Sequence, residues 1–445
     1  MIAATASGSG KTVMTCGLMR AFQRRGLRVA GFKCGPDYID PMFHSLVLGV
    51  SSRNLDLFLQ GTDGIRRTLA RAEGDLTVLE GAMGYYDGLG GTEEASAWQV
   101  ADVTGTPAVL VLRPKGQSIT LAAQVRGLME FRRPGHIAGL LLTDCTSSLH
   151  AHLKPVLERE TGLPVLGFLP PMPEAALESR HLGLVTAAEI ADFSARFDAV
   201  AEALERHADL DRLLALCADS VDITNRTTEV PPFRCRIAVA RDEAFSFYYE
   251  DNLDALLEAG ADPVFFSPVH DAALPEADGL YLGGGYPELH LPALSGNTAM
   301  LEQIRSAAAR GVPLVAECGG FLYLQRAVRD RSGREWPMAG VLPGTGFPTD
   351  RLQRFGYLTV SPERDSLLFR AGEKIPAHEF HYWDCDGCGE DLSAGKRDGR
   401  GWRFGFASRV LYAGFPHLHW GGGIPMARRF AEAAAMYRKE RIHDL

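Results

Sequence analysis

Residues Thr5 to Thr12, Thr-Ala-Ser-Gly-Ser-Gly-Lys-Thr, constrain this chain more than any other stretch. They follow a short apolar start, Met1-Ile2-Ala3-Ala4, and lead into a helical pattern from Val13 to Arg24. A glycine-rich turn between a strand and a helix gathers backbone N–H groups at the helix's positive end, where an anion is stabilised. Read against G-x-x-x-x-G-K-[ST], Ser7, Gly8, Ser9 and Gly10 form the cradle. Lys11 is then the cation for the β- and γ-phosphates, and Thr12 a hydroxyl ligand for Mg²⁺. Thr5 stands where the pattern has its first glycine, so the loop is a variant. The four-residue start is short for a first strand, which anticipates native residues ahead of Met1.

The rest of the chain answers the demand that such a loop makes for a parallel sheet. From Met1 to about Glu189, apolar runs alternate with helical stretches. Leu27–Lys33, Leu76–Glu80, Pro107–Leu112, Ile137–Thr143 and Pro164–Leu169 read as buried strands; Thr92–Val103, Ser118–Phe131 and Leu149–Glu160 have helical spacing. This alternation implies an α/β sheet covered on both faces, with ligands at the strands' C-terminal ends. Phe193–Leu216 is amphipathic, and the polar run Asp219–Pro232 reads as a linker. A second series begins with strands at Arg236–Ala240, Pro263–Phe266, Gly279–Leu282 and Val312–Glu317, and helices near Tyr249–Ala259 and Ala299–Arg310. After Trp336 the chain turns strand-rich (Arg354–Val360, Ala377–Tyr382, Trp402–Ala407, Val410–Phe415), and a helix from Ile424 closes it. The expected division is residues 1–190, a helix and linker over 191–233, and residues 234–445.

A length of 445 residues supports that division, because it exceeds what one ordinary core holds. A hydrophobic share of 46% with 23% charged residues is that of a soluble globular protein. The formal charge of −9 argues against nucleic acid or an anionic membrane as the main partner. No apolar run reaches the length of a membrane span, and Lys11 arrives too early for a signal peptide's apolar region. Eight cysteines are scattered rather than arrayed as a disulfide framework, which predicts a reducing cytoplasm.

Two acidic loops follow predicted strands. Gly35-Pro36-Asp37-Tyr38-Ile39-Asp40-Pro41 sets carboxylates at Asp37 and Asp40 within reach of Mg²⁺ or a substrate. Glu80-Gly81-Ala82-Met83-Gly84-Tyr85-Tyr86-Asp87 places Glu80 where a P-loop protein needs an acid for the Mg²⁺ shell. Carboxylates in such loops often serve only as turn caps, but sheet ends beside a P-loop favour chemistry.

A second centre lies at Val315-Ala316-Glu317-Cys318-Gly319-Gly320. A cysteine between a strand and a helix is the arrangement of a nucleophile elbow, with the helix N-terminus expected to lower the thiol pKa. The loop Gly283-Gly284-Gly285 and Gly319 could supply oxyanion-hole N–H groups. Pro416-His417-Leu418-His419-Trp420 offers two imidazoles on one side of a short extended run. His378, His381, Cys385 and Cys388 have tempting spacing for zinc, but the strand reading sets the two histidines on opposite faces, against a metal site.

Taken together, these stretches resemble the cobyrinate/hydrogenobyrinate a,c-diamide synthase family of cobalamin biosynthesis. The resemblance rests on the P-loop, Gly35–Pro41, Ser52-Arg53-Asn54-Leu55-Asp56, Glu80–Gly84, Arg180-His181-Leu182-Gly183-Leu184, Gly284–Glu288, Glu317–Gly320, His378–Tyr382 and His417-Leu418-His419. It implies a dethiobiotin-synthetase-like P-loop domain followed by a class I glutamine amidotransferase-like domain. It further implies ATP- and Mg²⁺-dependent conversion of corrin carboxylates to amides with glutamine nitrogen, and a homodimer is carried as an expectation. By residue, it implies Asp37, Tyr38, Asp40, Glu80 and Asp87 around nucleotide, metal and corrinoid, with Cys318 and His417 as the glutaminase pair. Three positions depart from the pattern. His419 stands where class I enzymes have a glutamate, so the third member of the Cys–His site is open. Ala316 replaces a preferred glycine. Thr143-Asp144 replaces an Asn-Arg whose Asn reads adenine, leaving ATP or GTP open. Competing readings are a partitioning-type ATPase with a degenerate binding domain, and an amidotransferase on another tetrapyrrole such as a nickel sirohydrochlorin.

Overall fold

The computed structural model describes residues 1–175, 177, 179–180, 183–184, 192–217 and 233–443. The predicted linker over 219–232 lies outside the described residues, as do His181 and Leu182 of the Arg180–Leu184 run. The chain forms two compact units, 1–225 and 226–445.

In the first unit seven parallel strands run in the order Arg53–Leu55, Val29–Cys34, Leu76–Glu80, Ile2–Ala4, Ala108–Leu112, Ile137–Leu142, Val165–Phe168. Strands such as Ala-Val-Leu-Val-Leu at Ala108–Leu112 are buried at every residue, as a sheet covered on both faces requires. The short strand Ile2–Ala4 lies at the centre, so the loop that follows it opens at the C-terminal edge beside Glu80. Three elements here escape periodicity. Helix Ile39–Leu48 starts inside what reads as a Pro-Gly loop: Asp37 Oδ1 accepts the Ile39 N–H at 2.8 Å, and Pro41 falls in the first turn, where no N–H is needed. Strand Arg53–Leu55 is only three residues long. Helix Leu57–Ala70 is interrupted at Gly61, φ 66°, which breaks its apolar spacing.

The amphipathic stretch from Phe193 is two helices, Phe193–His207 and Leu210–Ala215. Ala208 between them is extended and bridges Gly167, where a Cβ would lie 2.4 Å from the Ala208 Cα. Helix Phe193–His207 packs within the first unit, with Arg20 and Asp198 paired at 2.6 Å.

The second unit carries a six-stranded sheet in the order Ala261–Phe266, Cys235–Ala240, Gly279–Leu282, Leu314–Glu317, Leu411–Gly414, Phe406–Ala407. Only its last pair is antiparallel. A second, largely antiparallel sheet is built on the long hairpin of Thr345–Pro362 and Ile375–Asp386. Its edge strand is His417–Leu418, and His417 faces His378 in register. The helix after Cys318 is Gly319–Leu324, and Ala327–Arg329 is a strand. Among the described residues no helix is long and apolar enough to cross a membrane.

Candidate functional site

The P-loop turns where its sequence requires. Gly8 and Gly10 have φ of 72° and 80°, and Gly10 is the residue before helix Lys11–Arg24. A Cβ at Gly10 would come within 3.1 Å of Thr143 Oγ1, so the loop abuts the strand end at Thr143-Asp144. Asp144 there pairs with Arg113, whose guanidinium also donates to the Gly8 carbonyl at 3.3 Å. Lys11 is buried and donates from Nζ to the carbonyls of Ala6, at 3.1 Å, and Met83, at 2.6 Å. Ser9 Oγ closes the turn onto Ala6 O at 2.9 Å, and Ser7 is exposed on the loop.

Thr12, Asp40 and Glu80 converge. Thr12 Oγ1 lies 2.8 Å from Glu80 Oε1 and 3.3 Å from Asp40 Oδ1. This set of oxygen donors fits a hard cation such as Mg²⁺. Asp37 uses Oδ1 to cap helix Ile39–Leu48, leaving Asp40 as the acid bonded to Thr12. Asp87 Oδ2 accepts the Gly84 N–H at 2.9 Å, shaping the loop that meets Lys11 at Met83. Tyr38 sits immediately before the helix, beside these acids.

Two residues that periodicity and motif reading pass over complete this cluster. Lys33 Nζ bridges Asp40 Oδ2 at 2.5 Å and Glu80 Oε1 at 2.9 Å, and His44 Nε2 meets Glu80 Oε2 at 2.7 Å. Burial works against the Lys33 ammonium, but Asp40 and Glu80 outweigh it and raise its pKa. Burial likewise opposes the Glu80 charge, yet Lys33 and His44 hold its carboxylate ionised, well below the usual range. For Asp40 burial prevails over Lys33, and its pKa rises. Lys11 is pushed down to about 8 by burial and by the Lys33 charge. A bound polyphosphate favours the protonated Lys11, so nucleotide affinity should fall as pH climbs through 8. The expected loss is about tenfold between pH 7 and pH 9 for one linked proton. A titration of nucleotide Kd against pH checks it; a flat profile removes Lys11 from phosphate binding.

In the second unit, Cys318 leaves strand Leu314–Glu317 with φ 47° and ψ −100°, then opens helix Gly319–Leu324. A non-glycine residue held at such angles marks a site where the surroundings enforce strain. The neighbouring glycines permit the tight packing. A Cβ at Gly320 would lie 2.2 Å from Leu282 O, and one at Gly319 would lie 3.1 Å from Gly285 N. The Cys318 N–H itself donates to Gly414 O at 2.9 Å and so is already engaged.

The thiol does not behave as its position at a helix start predicts. Burial first, then the carboxylates of Glu288 and Glu379, push the Cys318 thiol well above its ordinary pKa, and the Gly319 N–H only partly offsets them. A six-residue helix does not overcome that burial, so ionising the thiol calls for a base. His417 lies beside the residue that precedes Cys318: it is buried, its Nδ1 is 3.7 Å from Glu317 Oε2, and a Cβ on Gly284 would lie 2.5 Å from its Cε1. Gly284→Ala should displace the ring and lower glutamine hydrolysis on the order of 10²-fold, checked by ammonia release. His419 turns elsewhere. Its Nδ1 accepts the Gly421 N–H at 3.1 Å and its ring packs on Tyr249, centroids 4.7 Å apart.

The His378–Cys388 constellation is divided. His381 Nε2 bonds Glu379 Oε1 at 2.7 Å and its ring stacks on Phe415 at 3.9 Å. His378 lies across from His417. Cys385 and Cys388 form a disulfide beside the Asp384 carboxylate, unlike the reduced thiols that composition predicts.

A phosphate loop with clustered acids on one parallel sheet, and a cysteine elbow on another with a histidine from the adjoining antiparallel sheet, define a nucleotide-binding protein joined to a glutamine amidotransferase-type domain. Residues 1–185 match the CobQ/CobB/MinD/ParA nucleotide binding domain, and residues 236–422 the CobB/CobQ-like glutamine amidotransferase domain. The chain is 39% identical over 432 residues to the cobyrinate a,c-diamide synthase of Clostridium acetobutylicum, covering 95% of this chain and 97% of that one. It is 39% identical over 447 residues to that of Salmonella typhimurium, covering 98% and 97%. It is 38% identical over 453 residues to that of Thermoplasma volcanium, covering 99% and 98%. The chain belongs to the cobyrinate a,c-diamide synthase family.

Proposed function

We propose that this protein uses ATP and glutamine to convert the a and c carboxylates of cobyrinic or hydrogenobyrinic acid to amides. The observation that carries this reading is the end-to-end match to the named synthases by a chain holding the Thr12–Asp40–Glu80 cluster, and Cys318 at an elbow whose preceding residue, Glu317, lies beside His417.

An ionised carboxylate repels nucleophiles and offers only oxide as a leaving group. Transfer of the γ-phosphoryl group of ATP to a carboxylate oxygen, with release of ADP, gives an acyl phosphate whose leaving group is phosphate. Lys11 and the loop N–H groups orient the phosphates, and Asp37, Tyr38, Asp40 and Asp87 are the groups assigned to the corrinoid side. Mg²⁺, held by Thr12 with Glu80 and Asp40 and with Asp37 nearby in sequence, would neutralise the phosphates' charge.

At the second centre the Cys318 proton passes to His417 as sulfur attacks the glutamine side-chain amide, with Gly284, Gly285 and Gly319 assigned to the oxyanion. His417 returns the proton to the departing ammonia, and water hydrolyses the thioester to glutamate. Ammonia then displaces phosphate from the activated carboxylate. The test is incubation with cobyrinic acid, ATP and glutamine, followed by product mass. Two successive changes, each replacing hydroxyl by amino, are expected; an unaltered corrinoid alongside ATP hydrolysis contradicts the reading.

A further inference from the structure

The base at the second centre needs an orienting partner, and the residue that supplies it in ordinary class I enzymes is replaced here by His419. That ring receives the Gly421 N–H on Nδ1 and presents Nε2 to Asp251 Oδ2 at 4.0 Å, so it does not supply a carboxylate. Another carboxylate does reach His417. Glu317, the last residue of strand Leu314–Glu317, is 1% exposed and has Oε2 3.7 Å from His417 Nδ1.

Its placement is built rather than incidental. The Leu418 N–H approaches Glu317 Oε1 at 3.4 Å, and the Tyr281 hydroxyl approaches Oε2 at 3.4 Å. Asn252 ties those two donors together, reaching Tyr281 Oη at 3.3 Å and the Leu418 carbonyl at 2.8 Å from Nδ2. The Trp420 ring stacks on Tyr281 with centroids 4.9 Å apart, and the Trp420 backbone N–H donates to Asn252 Oδ1 at 2.7 Å. Three side chains, Tyr281, Asn252 and Trp420, together with the Leu418 N–H thus fix one buried carboxylate beside the imidazole, and Gly284 lies against the ring at Cε1. A separation of 3.7 Å is long for a hydrogen bond, as such contacts commonly are before substrate binds.

We infer that Glu317, the residue immediately preceding the nucleophile, is the positioning residue for His417, completing a Cys–His–Glu arrangement whose acid comes from the nucleophile's own strand. Resting on the glutaminase reading above, this assigns the Nδ1 proton to the side facing Glu317 and leaves Nε2 to take the Cys318 proton. The carboxylate then stabilises the imidazolium formed as sulfur attacks, and no proton moves onto Glu317. Among the described residues, the other titratable groups around the pair include His378 across the strand from His417, Glu288 and Glu379 towards Cys318, and the buried phenols Tyr248, Tyr281 and Tyr412.

The experiment is glutamine hydrolysis by the full chain from about pH 6 to pH 10 for the natural protein, Glu317→Gln and Glu317→Asp. Glu317→Gln should lose about 10²- to 10⁴-fold at neutral pH and climb steadily with pH, because the thiol must then ionise without a held base. Glu317→Asp keeps the charge and should restore the neutral plateau to within about tenfold of the natural protein. Glu317→Gln with undiminished neutral activity overturns the inference. So does a loss that leaves the pH profile unchanged in shape, which a merely structural residue gives, or an aspartate variant no better than glutamine. Should Glu317→Gln fail to fold, the aspartate profile decides alone. A natural protein that releases no ammonia from glutamine instead overturns the glutaminase reading, and this inference with it.

Discussion

Replacing Cys318 by alanine should abolish amidation from glutamine, by at least about 10⁴-fold, while amidation from added ammonium salt continues. In the proposed mechanism Cys318 forms the thioester, and His417 without that thiol has no proton to take. The substitution is mild for the fold. Alanine fills the space of a small apolar side chain, and its backbone tolerates φ 47° no worse than cysteine does. Following corrinoid amide formation with each nitrogen source separates the two centres. Full glutamine-dependent turnover in Cys318→Ala would falsify the assignment of the second centre.

Replacing Lys11 by alanine should remove both activities together, on the order of 10³-fold or more, because carboxylate activation precedes either nitrogen source. The Lys11 ammonium is buried, and burial with the Lys33 charge already lowers its pKa to about 8, so in the free protein it is held against an opposing environment. Losing it should therefore cost phosphate binding far more than folding. The readings are nucleotide Kd and ammonia-dependent amidation, with glutamine hydrolysis as the contrasting measurement. Retained ammonia-dependent amidation in Lys11→Ala would place phosphoryl transfer elsewhere.

Much of this arrangement is legible in the sequence because its chemistry follows local rules. The loop from Thr5 to Thr12 is recognised by glycine spacing, and Glu80 by its place at a strand end; the structure puts Glu80 2.8 Å from Thr12. Lys33 and His44 were not visible in the same way. Lys33 is one residue in an apolar strand, and His44 lies in a helix hidden by Gly35, Pro36 and Pro41, so only the folded chain brings them to Glu80. Cys318 is legible from strand, turn and helix, yet its thiol is pushed up by burial and then by Glu288 and Glu379, which distant segments supply. Glu317 reads merely as part of a motif. Its proximity to His417 requires the edge strand His417–Leu418 of one sheet to meet the end of Leu314–Glu317 in the other, a long-range pairing with no local signature.

In the proposed reaction one carboxylate oxygen leaves as phosphate while glutamine nitrogen takes its place. The direct measurement uses a corrinoid whose target carboxylates carry oxygen-18, with amide-nitrogen-15 glutamine and unlabelled ATP. The account predicts one oxygen-18 in the inorganic phosphate for each amide formed, and nitrogen-15 with the remaining oxygen-18 in the amide. Unlabelled phosphate accompanying amide formation would contradict activation by phosphoryl transfer, and an unlabelled amide would contradict supply from glutamine.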